Sequence, residues 1–345
     1  MGTFLGFFRA LTESWLQKAL ISAIIIGAVC SLIGVFILLR GMIFLGQAIA
    51  HSAFAGAALA ILIGVDPILI IIGFSVASAV GVGYVNQKQL MKNEVIIGII
   101  FSFFMALAVL FIGLLKEYST NIQSILFGQI LLVSTEDLIL LGIFSALIIM
   151  VVLLFKKELY FITFNPNLAK ISGLPVNILN YIFLIVVSLT ISISLKAIGA
   201  ILVFAMIVTP AAAAYQWTYK LNRMILLSVF FGILSGIIGL FFSYLLNLAS
   251  ASSIVTVITI VFLISFIFSP KRRSLAKGIK ECPFCKDYLP DEDGVCQREE
   301  CTFTGIPHFH DSERVEIKKH LLPERAPPKH EHEIADEGAK EVSGD

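Results

Sequence analysis

Residues 44–64 read FLGQAIAHSAFAGAALAILIG. The reading of this stretch decides the fold, because a glutamine and a histidine stand inside a run that is otherwise apolar or small. The run carries no charge and is long enough to cross a hydrocarbon core as a helix. Gln47 and His51 are four apart and therefore share one helical face. Beside them runs a stripe of small residues, Ala48, Ser52, Gly56 and Ala60, which lets another helix approach closely. Lipid offers polar side chains no partners, so Gln47 and His51 are expected to face a bundle interior or a water-filled path. His51 is also the only histidine before position 308.

The rest of the chain fits this setting. It has 345 residues, 58% of them hydrophobic and only 14% charged, which excludes an ordinary soluble globular protein of this size. Residues 1–270 carry 12 Lys/Arg and 7 Asp/Glu, whereas residues 281–345 sum to −9. Between them, 271–280 holds five basic residues and no acid. The near-neutral total thus combines a membrane part, a basic collar and an acidic tail. The start, MGTFLGFFRALTESW, lacks the pattern of a cleavable signal, so the first apolar run is expected to be a retained span, preceded by a short interfacial helix.

Spans are predicted near 20–39, 43–64, 67–85, 95–115, 136–155, 178–195, 198–217, 225–246 and 252–269. They are too long for barrel strands, and backbone groups in lipid must be satisfied internally, so helices are expected. The apolar segment 120–135 is short enough to dip into the membrane or lie on it. Lys88 and Lys92, then Lys156, Lys157 and Lys170, then the collar KRRSLAKGIK fall on one side, which the positive-inside rule makes cytoplasmic. Lys220 and Arg223 join them if 178–195 and 198–217 form a hairpin, leaving Lys196 in the outer turn. Nine spans put the amino terminus outside; eight would put it inside.

Local signals add detail. Asp66-Pro67 reads as a capped helix start. Within NPNLAKISGLP, Asn165 before Pro166 starts a short helix and Gly173 with Pro175 stops it. Pro210 lies deep in a span and should leave a carbonyl free, which other protein or water must satisfy. Gly232 and Gly236 form a close-packing pattern, and Cys30 reads as packing. No phosphate-binding GxxxxGK[ST] loop occurs, so any ATP-driven role needs a second chain. For His51 itself two readings stand: an imidazole bonded to a backbone carbonyl, or a transient metal ligand on a translocation path.

GVFILLRGMIFLGQAIAHSAFAGAALA (34–60), SILFGQILLVSTEDL (124–138), FNPNLAKISGLPVNILN (164–180) and LKAIGAILVFAMIVTPAAAA (195–214) together resemble the membrane permease subunits of metal-type ABC importers for zinc, manganese or iron. The resemblance covers about residues 15–270. It implies a homodimer working by alternating access, a cytoplasmic ATPase subunit and an extracytoplasmic metal-binding protein. It further implies that Asn165, Pro166, Leu168, Gly173, Leu174 and Pro175 dock the ATPase, and that His51 is a path ligand. The chain departs from the family at Gln47 and at Asn247, where an acid is usual. Both changes remove negative charge, which disfavours a hard, oxygen-loving ion, so zinc is the expected cargo, with Gln47, His51 and Asn247 along its path.

The tail holds Cys282-x2-Cys285 and Cys296-x4-Cys301, followed by His308, His310, His320, His330 and His332. Four cysteines in twenty residues, on the reducing side of a membrane, favour a structural zinc over disulfides. The expected organisation is a permease domain (1–270), the collar (271–280), a zinc-ribbon-like module (281–311) and a disordered acidic, histidine-bearing tail (312–345). The sequence therefore predicts an all-α polytopic helical membrane protein with eight or nine spans and a small cytoplasmic zinc-ribbon-like tail. It would sit in the cytoplasmic membrane, contact lipid, bind no nucleic acid and perform no catalysis itself. The alternatives are a membrane-anchored zinc-ribbon receptor and a proton-coupled secondary metal transporter. Few buried carboxylates are present to carry protons for the latter.

Overall fold

Apolar runs separated by short polar turns fold here as a helical bundle. The computed structural model describes residues 13–87, 93–115, 130–164, 166–218 and 220–270. In chain order the helices are α1 (Ser14–Leu39), α2 (Ile43–Ile63), α3 (Pro67–Gln87), α4 (Asn93–Gly113), α5 (Thr135–Leu154), α6 (Lys156–Phe164), α7 (Pro166–Ile171), α8 (Val176–Ile198), α9 (Ala200–Tyr215), α10 (Leu221–Leu246) and α11 (Ser250–Ile267), with a 3-10 turn at Ile130–Leu132. The described residues contain no strand. The chain divides into two units, Met1–Arg273 and Ser274–Asp345. The collar, the four tail cysteines and the five tail histidines lie outside the described residues, as do Lys88, Lys92, Asn165, the amino-terminal segment and most of 120–135.

Among the described residues, eight helices are long and apolar enough to cross a membrane; α9, with 16 residues, is shorter. Side-chain contacts nevertheless place its two ends at the two ends of the bundle. At its start, Gly199 (φ +82°) turns the chain back from α8, next to Lys196, which pairs with Asp137 at the start of α5. At its end, Ala211 and Ala214 cluster with Val35 of α1 and Met224 of α10, with Leu38 and Leu39 against them. Ser269 Oγ, after α11, donates to the Gln216 carbonyl at 3.0 Å, so α9 and α11 finish together. The hairpin expected of 178–195 and 198–217 is thus present. One end of the bundle gathers Arg40, Lys156, Lys157, Lys170, Lys220 and Arg223; the other carries the Lys196–Asp137 pair and Asp66.

The core centres on α1, α2 and α8, whose apolar windows are two-thirds or more buried, while α4 and α5 are mostly exposed on their outer faces. Helix α1 is held against α10 by small residues. A methyl on Gly27 would lie 2.9 Å from the Gly232 carbonyl oxygen, and one on Gly232 would overlap the Ser31 hydroxyl. Gly236 meets Ala23 one turn further along. The close-packing role expected of Gly232 and Gly236 is therefore realised on α1.

Hydroxyls inside the bundle mostly turn back on their own helices. Ser52 donates to Ile49, Ser75 to Ile71, Ser188 to Ile185, Thr190 to Val186 and Ser192 to Ser188, all at carbonyl oxygens 2.7–2.8 Å away. Others cross between helices, among them Ser228 Oγ to the Ser31 carbonyl at 2.9 Å and Ser31 Oγ to the Met206 carbonyl at 3.5 Å. Met206 is the residue four before Pro210, whose missing N–H leaves that carbonyl without its helical partner. The free carbonyl expected from Pro210 thus finds an acceptor's role with α1.

Candidate functional site

Helix α2 begins after the three-residue connection Arg40-Gly41-Met42 and is closed by Gly64, which adopts the left-handed conformation (φ 76°). The Gly64 and Val65 amides both reach back to the Ala60 carbonyl, at 2.9 and 3.1 Å. Asp66 then accepts from the Ile68 amide at 3.0 Å, and Pro67 opens α3. This tight connection sets α3 against α2. Ala48, Ser52, Gly56 and Ala60 are all buried, and a methyl on Gly56 would come within 2.8 Å of the Ile70 carbonyl of α3. The small stripe is therefore consumed in packing, as expected.

Gln47 and His51 lie on the less buried edge of the same helix, with Ile43 and the exposed Phe44. The His51 and Phe101 rings, the latter on α4, meet in a T-shaped pair, with centroids 4.9 Å apart and planes at 82°. His51 Nδ1 is buried and has no hydrogen-bond partner among the described residues. Leaving a buried polar atom unmatched costs about 1–3 kcal/mol, so Nδ1 calls for a partner beyond the described residues of one chain. No group of three or more His, Cys, Asp or Glu side chains comes together among the described residues. One chain thus offers an imidazole and an amide here, not a complete ligand cage.

Asn247 stands elsewhere. It follows α10 in the left-handed conformation (φ 50°), the one described non-glycine residue with positive φ, and is exposed. Asparagine tolerates this conformation better than most residues, which gives it a local backbone role. It lies at the Lys196 end, whereas His51 sits in the half of α2 nearer Arg40. About 12 helical residues separate His51 from the far end of α2, roughly 18 Å of depth. The structure does not bring Asn247 beside Gln47 and His51.

Between α5 and α8, α6 and α7 form an elbow at the basic end. Ala169 packs with Ile162 and Leu179, while Leu168 is half exposed and Ile171 largely exposed. The elbow closes at Gly173 (φ +81°), with the Leu174 amide returning to the Ala169 carbonyl at 3.1 Å, and Pro175 precedes α8. The short helix expected over 164–175 is therefore present, with an apolar outward face.

Arg40, in the turn before α2, was not singled out by its sequence context. Its Nε donates to Thr163 Oγ1 at 3.2 Å and its Nη1 to Asn180 Oδ1 at 2.9 Å, and its guanidinium carbon lies 4.0 Å from the centre of the Phe183 ring. Burial pushes its pKa down to about 10, so it stays cationic at neutral pH. The available signal was a lone charge in a three-residue connection between two long apolar runs.

A polytopic helical bundle with a polar edge on one inner helix and an apolar-faced elbow at its basic end fits a membrane permease. Residues 12–269 match the ABC 3 transport family, and the chain belongs to that family. Among its relatives, the "Manganese transport system membrane protein MntC" of Listeria monocytogenes is 44% identical over 268 residues, covering 78% of this chain and 95% of that protein. The "Manganese import system permease protein ScaB" of Streptococcus gordonii is 39% identical over 267 residues, covering 77% and 95%. A solved structure, "PsaBC from Streptococcus pneumoniae in complex with Fab", is 38% identical with a TM-score of 0.72, covering 79% of this chain and 99% of that one. The chain is a multi-pass permease of a metal ABC transporter.

Proposed function

We propose that this permease imports Mn2+, with Gln47 and His51 on the path of the ion and a separate ATPase seated on the α6–α7 elbow. The observation that carries this reading is the unmatched Nδ1 of His51 on the half-open edge of α2. A polar edge at membrane depth needs protein or water against it. A second copy of the chain related by a two-fold axis supplies both, and doubles the donors to two imidazoles and two amides. A path assembled from few neutral donors binds weakly, which transport requires. Delivery by an extracytoplasmic metal-binding protein and cytoplasmic placement of the basic end complete the picture.

Manganese replaces the zinc expected from the sequence, because the relatives described above carry manganese in their names. Zinc would be favoured if Gln47 and Asn247 both removed charge from one ligand set. With Asn247 far from His51, its neutral amide is no deficit of the same ligand set. The zinc-ribbon reading of Cys282, Cys285, Cys296 and Cys301 concerns residues outside those described and stays a proposal about the tail: one zinc per chain, lost in a Cys282→Ser/Cys285→Ser variant, measured by elemental analysis.

The test of transport is ATP-dependent uptake of Mn2+ and Zn2+ into liposomes holding the whole complex. Mn2+ uptake that falls to background in His51→Ala, with the complex still assembled, is expected. Uptake of Zn2+ in preference to Mn2+, or full uptake by His51→Ala, would overturn the reading.

A further inference from the structure

Three elements meet on Arg40. It closes α1 and, with Gly41 (φ +66°), turns the chain into α2. Its Nε holds Thr163 of the α6–α7 elbow and its Nη1 holds Asn180 near the start of α8, 123 and 140 residues away in sequence. Thr163 Oγ1 itself donates to the Leu159 carbonyl at 2.6 Å, so its position on α6 is set. The third nitrogen, Nη2, is buried and has no partner among the described residues. On α6, which packs against α1, the Glu158 Oε2 atom is likewise buried and unpartnered.

Stripping an enclosed guanidinium of its acceptors is costly, so the elbow cannot simply lift away from the α1–α2 turn. It can slide if the cation exchanges one set of acceptors for another. Glu158 and Thr163 are five residues apart on α6, about 7.5 Å along its axis. A cation short of one acceptor and a carboxylate short of one donor, on neighbouring elements, provide the second arrangement that coupling between sites demands. We propose that Arg40 is the joint that carries movement of the elbow into α2, with the Glu158 carboxylate as its alternative seat. Arg40 is thereby a positioning residue for Gln47 and His51, which stand two and three turns up the helix it anchors. This inference rests on the transport reading above, both for its cargo and for the ATPase that moves the elbow.

The test uses the complete transporter in liposomes, with three variants: Arg40→Lys, which keeps the charge but not the fork; Glu158→Gln, which removes the alternative seat; and Thr163→Val/Asn180→Leu, which removes the present acceptors. ATP hydrolysis and Mn2+ uptake are measured together. Nitroxides at the exposed Val65 and Leu248, both at the far end of the bundle, report whether ATP moves α2 there. Each variant is expected to hydrolyse ATP within about twofold of wild type while uptake falls at least about tenfold and the ATP-induced distance change disappears. Uptake and hydrolysis falling in equal proportion with the distance change intact would reduce Arg40 to a structural tie, and unaltered uptake in all three variants would overturn the joint outright. Wild type that moves on ATP but takes up no Mn2+ would refute the cargo and leave the distance readout to decide the joint.

Discussion

Lys196 Nζ lies 2.9 Å from Asp137 Oδ1, tying the last turn of α8 to the first turn of α5 at the end of the bundle away from Arg40. Asp137 is also bonded to Ser134, whose hydroxyl donates to its carboxylate at 2.8 Å and accepts its amide at 3.0 Å. The acid sits where a helix start favours negative charge and the lysine where a helix end favours positive charge. A basic residue that ran against the charge bias of that end thus has its own counter-ion. Both side chains are a little over a quarter exposed, so the pair should be worth about 1 kcal/mol or less. Lys196→Met and Asp137→Asn should each lower the melting temperature of the purified permease slightly. The double variant should cost less than the two singles combined. Strictly additive losses would show that the ions do not sense one another.

A methyl group at Gly232 meets the Ser31 hydroxyl and the Gly27 carbonyl together. Gly232→Ala should destabilise the permease by about 1–3 kcal/mol through overpacking. Adding Ser31→Ala should recover only part of the loss, because the Gly27 backbone cannot retreat and the Met206 carbonyl loses its donor. Thermal unfolding in detergent measures both. Full recovery would place the crossing distance under side-chain rather than backbone control.

The elbow's outward face should matter to assembly and not to folding. Leu168 and Ile171 are exposed, whereas Ala169 holds α7 to Ile162 and Leu179. Leu168→Glu/Ile171→Glu should abolish co-purification of the ATPase while leaving the permease's melting temperature within about 1 °C, as surface changes usually do. Retained ATPase with full activity would move the docking surface elsewhere.

A carboxylate one turn before His51 should tighten the ion site and slow its release. Gln47→Asp supplies the hard oxygen ligand that Mn2+ prefers. The concentration for half-maximal Mn2+ uptake should fall by about tenfold and the maximal rate should drop with it, as a tightly held ion leaves slowly. Unchanged kinetics would remove Gln47 from the path.

Much of this architecture is legible from local pattern. Long uncharged runs give the traverses, Asp66-Pro67 gives the start of α3, and Pro166 with Gly173 frames α7, because each depends on residues adjacent in sequence. The small residues at 48, 52, 56 and 60 and at 232 and 236 announce tight contacts, though not with which helix. What escapes is tertiary. Nothing near Arg40 names Thr163 or Asn180, and nothing near Lys196 names Asp137. Asn247 shows the limit of reading by order: the resemblance lines it up with an acid of the family, while the structure gives its left-handed backbone and its place at the end of α10.

The hydroxyls that fold back on their own helices have an electrical meaning. Ser52, Ser75, Ser188, Thr190 and Ser192 spend their protons on nearby carbonyls, so they do not string together into a wire along which protons could hop. Each of these dipoles is satisfied within its own helix, so the faces that meet inside the bundle carry few bonds that a shift of one helix against another would have to break.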